Sequence, residues 1–67
     1  MEPGRKLAIA TLQALIALLR IEEKKLQTII TYSEFPERRT QAQSSLEKVL
    51  EKIDATEREL TKLQSED

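Results

Sequence analysis

Residues 7–21, LAIATLQALIALLRI, are apolar at twelve of fifteen positions, and only Thr11, Gln13 and Arg20 interrupt them. No other stretch of the 67-residue chain is apolar enough to found a core. A chain this short makes one domain, residues 1–67. Its core is small enough that a disulfide, a metal or a second subunit usually reinforces it. The sequence contains no Cys and no His. Disulfides and thiolate chemistry are therefore excluded, and the commonest general base and metal ligand are missing. No glycine-rich phosphate loop or activated-nucleophile pattern is present either, so the chain is not expected to be an enzyme or to carry a cofactor or metal.

Charged residues make up 34% of the chain, yet the formal net charge is only -1. The basic pairs Arg5-Lys6, Lys24-Lys25 and Arg38-Arg39 are isolated and accompanied by acids. Nucleic-acid binding wants a continuous basic face, so neither nucleic acid nor an acidic membrane is an expected partner. One Gly, two Pro, one Tyr and one Phe leave little material for sheets or tight turns. Leu, Ile, Ala, Glu, Lys, Gln and Arg dominate, the composition of long helices. The fold class is all-α.

Met1, Glu2, Pro3 and Gly4 read as a lead-in, because Pro and Gly disfavour helix. A first helix is expected over about residues 6–32. Ile9, Leu12, Ile16, Leu19, Leu26 and Ile30 recur at alternating steps of three and four, with Glu23 the one polar member. Ala8, Leu15, Glu22 and Ile29 form a flanking seam, so the apolar face is broader than a two-stranded coiled coil needs. Leu7, Ala10, Ala14, Ala17, Leu18 and Ile21 occupy the remaining sides, which makes the N-terminal half apolar nearly all round.

The interruption is TYSEFPERR, with a turn expected over about residues 33–36. Pro36 forfeits a backbone hydrogen bond inside a helix and pushes Phe35 away from helical geometry. Ser33 is a candidate N-cap, with Glu34 and Glu37 favourably placed near the following N-terminus. Thr40 and Ser44 also match capping boxes, but read better as solvated mid-helix residues. Tyr32, Phe35 and Pro36 are expected to form an apolar plug at the turn, the alternative being an exposed binding spot. A second helix follows over about residues 37–64. Its single seam is Ala42, Leu46, Val49, Ile53, Thr56, Leu60 and Leu63, with Leu50 beside it. Residues 65–67 are expected to fray. Glu34 and Asp54 stand four residues before Arg38 and Arg58, a helix-stabilising spacing.

Two helices of similar length joined by a few residues are expected to lie antiparallel. Folding about residues 34 and 35 sets Leu19 near Leu50, Ile16 near Ile53, Ile9 near Leu60, and Leu26 near Ala42 or Gln43. The intramolecular seam is then Ile9, Leu12, Ile16 and Leu19 against Leu46, Leu50, Ile53 and Leu60. One stripe on helix two cannot also cover Leu7, Ala14, Leu15, Leu18 and Ile21. Burying those side chains would contribute on the order of 5–10 kcal/mol before entropy costs. They are the candidate protein-interaction residues. The expectation is a coiled-coil-like hairpin completed to a four-helix bundle by dimerisation. The second reading is a small cytoplasmic chaperone or adaptor whose apolar groove takes a helix of another protein.

A membrane or export segment is disfavoured, because fifteen residues of helix span only about 22 Å against a hydrocarbon core of about 30 Å. Glu22 and Glu23 are read as seam-edge residues reaching water or Arg39, with a register-setting polar layer as the alternative. In size and in its two long helices the chain resembles small helical accessory proteins. Among these are the co-chaperones of type III secretion needle subunits and two-helix dimers such as the plasmid copy-number regulator Rop. The resemblance covers architecture alone, and no residue is carried over from it.

Overall fold

The computed structural model describes residues 3–65, which form two helices, α1 (Pro3–Tyr32) and α2 (Pro36–Ser65), packed against each other. Each helix has 30 residues, about 45 Å at 1.5 Å per residue. The molecule measures 50 × 14 × 12 Å, so it is one helix long and two helices wide. Ala8 and Leu12 share a groove with Glu59 and Leu63, whereas Leu26 shares one with Ala42. The start of α1 therefore lies beside the end of α2, and the helices are antiparallel.

Both helices begin at proline. Pro3 and Gly4 were expected to precede α1 but form its first turn. A proline there loses nothing, since the first amides of a helix have no intrahelical partner. Residues 1, 2, 66 and 67 lie outside the described residues. The fraying expected at 65–67 therefore bears only on Ser65, which is helical and bonds its hydroxyl to the Lys62 carbonyl at 3.1 Å.

The turn is three residues long, Ser33, Glu34 and Phe35. Ser33 does not cap α2 as the sequence suggested. Its amide donates to the Ile29 carbonyl at 2.9 Å, which finishes α1, and its hydroxyl accepts from the Phe35 amide at 3.3 Å. Phe35 stands immediately before Pro36, and its carbonyl accepts the Arg39 amide at 3.2 Å. Thr40 is mid-helix and returns its hydroxyl to the Pro36 carbonyl at 3.0 Å.

The helices are stabilised by different means. Glu37 in the first turn of α2 and Lys62 in its last turn oppose the helix dipole. The first turn of α1 holds no acid and its last turn no base. Burial has to hold α1 in place, and burial is thin: among the described residues only Leu26, Ala42 and Ile53 are buried. Around them runs a half-covered seam of Ala8, Ile9, Leu12, Ile16, Leu19, Glu23 and Ile30, facing Leu46, Val49, Thr56, Leu60 and Leu63. Leu50, expected within this seam, is 42% exposed and lies on its flank.

Ile53 is the most enclosed side chain of the three, at 3% exposure. Ile53→Ala should lower the unfolding free energy by about 2–3 kcal/mol. Leu50→Ala should cost less than about half as much. Urea titrations followed by circular dichroism check both, and equal losses would contradict the placement of Leu50 outside the seam.

Candidate interaction surface

Leu7, Ala14, Leu18 and Ile21 lie on the side of α1 turned away from α2, and Leu15 lies on the flank between that side and the seam. Leu7 is 69% exposed, Leu18 65%, Ile21 53% and Leu15 42%, and Ala14 is exposed with them. At 100° per residue, the direction of this group lies roughly 150° around the helix from the Ile9–Leu12–Ile16–Leu19 seam. The helix thus carries two apolar faces on nearly opposite sides, and α2 covers one of them.

Within the uncovered face, Leu7, Thr11, Ala14, Leu18 and Ile21 follow one another at steps of four, three, four and three. This is the same alternation that builds the intramolecular seam, and it is the spacing with which one helix meets another. Thr11 is the polar member. Its hydroxyl donates to the Leu7 carbonyl at 2.9 Å, so it brings no unsatisfied donor to the face. Ala10 and Ala17 border it on one side and Leu15 on the other. The corresponding outer face of α2 carries Glu47, Glu51, Asp54, Arg58 and Lys62, and Asp54 pairs with Arg58 at 2.9 Å. Charge of this kind keeps α2 in water, so most of the uncovered apolar surface belongs to α1, with Leu50 the exception on α2.

The molecule exposes 5390 Å² in total, where a compact monomer of 7.7 kDa would expose about 4,300 Å². The surplus, on the order of 1,000 Å², reflects the elongated two-helix shape, which leaves the outer faces of both helices open.

A polar cluster spans the two helices. Arg20, which in the sequence merely interrupts an apolar run, donates from one guanidinium nitrogen to Glu23 at 3.3 Å and from the other to Glu57 of α2 at 3.2 Å. Glu23 lies on the seam with its side chain only 17% exposed. Its partner is Arg20 and not Arg39, which instead lines a groove with Ile30, Gln43 and Glu47. Glu22 faces solvent. Seeing the Arg20–Glu57 pair in advance requires the register between helices, which spacing within either helix does not supply.

The turn does not close on an aromatic plug. Tyr32 is 78% exposed, and Phe35 and Pro36 are exposed beside it. Tyr32 and Phe35 rim an open cleft with Ile29 and Arg38. Among the described residues no group of three acidic side chains is placed to hold a metal ion, and no helix is long and apolar enough to cross a membrane.

No protein-family model, curated protein or solved structure matches the chain.

The polar cluster gives a direct expectation. Glu23 occupies a largely covered seam position, so Glu23→Leu should raise stability by about 1 kcal/mol. Arg20→Ala should cost no more than about 1 kcal/mol, because the pair it forms with Glu57 is half exposed, and the loss should shrink as salt is added. Denaturation at low and high ionic strength measures both. A destabilised Glu23→Leu variant would show that the cluster contributes more than its exposure allows.

Proposed function

We propose that the protein is a non-enzymatic helical interaction module that self-associates through the outer face of α1. Leu7, Ala14, Leu15, Leu18 and Ile21 form the contact, and Ile9, Leu12, Ile16 and Leu19 hold α2 in place behind it. The observation that carries this reading is the second three-and-four alternation, left open to water along a helix whose other face is occupied. Soluble monomers seldom expose a contiguous apolar strip of this extent. A chain without cysteines gains no disulfide to offset its thin core, which supports a second subunit as the source of further burial.

Two copies give four helices in all. The open face lies nearly opposite the intramolecular seam, so the two α1 helices meet in the middle and the charged α2 helices flank them. That sequence of helices places each apolar face against another and every charged face outward. The cysteine-free composition suits a reducing compartment such as the cytoplasm.

Leu18 stands in the open strip and Lys48 on the charged side of α2. Leu18→Asp should reduce the protein to monomer in sedimentation equilibrium at low micromolar concentration, whereas Lys48→Asp should leave the assembly intact. A well-folded wild-type monomer under those conditions would overturn self-association and favour a helix of another protein as the occupant of the same face.

A further inference from the structure

We infer that the second copy lies antiparallel along α1, with the two-fold axis passing beside Ala14; this rests on the self-association proposed above. The strip is nearly symmetric about that residue. Leu7 and Ile21 each stand seven positions from Ala14, and Thr11 and Leu18 stand three and four positions from it. A dyad at Ala14 therefore sets Leu7 level with Ile21 of the second copy and Ala14 level with its Ala14, with Thr11 one residue's rise, about 1.5 Å, from the level of its Leu18. A two-fold interface uses the same patch twice, which requires a patch that matches its own reversal. Ala10 and Ala17 keep the centre of the strip small, so the helix axes can approach closely where they cross.

Parallel pairing fits the ends of the strip badly. The next position in the alternation after Ile21 is Lys25, which is exposed, and α1 continues beyond it to Tyr32. A parallel pair would stack Lys25 on Lys25 within the seam, with helix extending on both sides of the two ammonium groups. Like charges directly opposed in a seam are unfavourable.

The antiparallel pair sets Lys25 level with Pro3 and within one residue's rise of Gly4, in the first turn of the other α1. Gly4 has no side chain, and a Cβ placed there meets nothing within 4 Å, so the lysine has room to reach water past the helix end. The overlap then covers about residues 3–25 of each α1. The two turns, with Tyr32 and Phe35, project from opposite ends of the assembly.

The natural sequence contains no cysteine, so single introduced thiols report the geometry without background. Ala14, Lys25 and Gly4 are all exposed, and changing them leaves the intramolecular seam untouched. With the two copies antiparallel, oxidation should convert most of Ala14→Cys to covalent dimer. Lys25→Cys alone should remain unlinked, since its two thiols would be about 33 Å apart along the helix axis. An equimolar mixture of Gly4→Cys and Lys25→Cys should yield the mixed dimer by mass spectrometry.

Lys25→Cys dimers forming as readily as Ala14→Cys dimers, while sedimentation still reports a two-chain assembly, would overturn the antiparallel arrangement and leave self-association standing. A two-chain assembly in which Ala14→Cys fails to link, by oxidation or with a short bis-maleimide, would also overturn it, by placing the contact elsewhere. Absence of every crosslink together with a monomeric sedimentation mass would overturn both this inference and the reading it rests on.

Discussion

An α-helix hides only the face it turns toward a neighbour, and in this molecule one helix has two faces to hide while the other has one to offer. The contact along Leu26, Ala42 and Ile53 covers the first face of α1 and the apolar stripe of α2, with Leu50 left on its flank. Everything else follows from that mismatch. The outer side of α2 is charged, whereas the outer side of α1 is apolar and is left uncovered by α2. Among the described residues the core has three buried side chains, well short of what an independent domain usually encloses.

Interposed in the seam is a polar device. Glu23 is carried into a position where an aliphatic side chain would bury more apolar surface, and Arg20 bridges it to Glu57 across the helix pair. A purely apolar seam with a regular repeat can slide by a heptad at modest cost, since each leucine finds another leucine. Such a slip would leave the Arg20–Glu23 pair intact within α1 and break the half-exposed Arg20–Glu57 pair, so the cluster biases the register by no more than a surface ion pair contributes. Thr11, Thr28, Thr40 and Thr56 take a quieter part. Each donates its hydroxyl to the carbonyl four residues earlier, so their polarity is satisfied within their own helix.

The all-helical character and the pairing of two helices were legible in the sequence because a three-and-four alternation has one geometric meaning. The repeat of Ala42, Leu46, Val49, Ile53, Thr56, Leu60 and Leu63 marks the positions on α2 that are buried or half covered. What stayed illegible was local or relational. Pro3 and Gly4 carry low helix propensity, yet a first turn requires no amide bond of them. Ser33 has the chemistry of a cap, but the cap position is fixed by where Pro36 begins the next helix, and that position falls to Phe35. Leu50 is one residue from Val49, and a single residue is 100° of rotation, enough to move a leucine from the seam to its flank. Of the outer face of α1, the sequence disclosed the surplus of apolar residues. Which of them α2 leaves uncovered depends on the direction of the helix pair.

Pro36 has a further consequence. Many helical hairpins with short turns can open into one long helix and trade partners with a neighbour, each α2 packing on the other chain's α1. Here a straightened chain would run helix through residues 33–35 into a proline whose ring meets the carbonyl of Tyr32, at a cost of about 3 kcal/mol per chain. The exchange of arms is thereby discouraged by covalent geometry at a single ring. Each chain keeps its own α2, and whatever meets the outer face of α1 meets a closed hairpin.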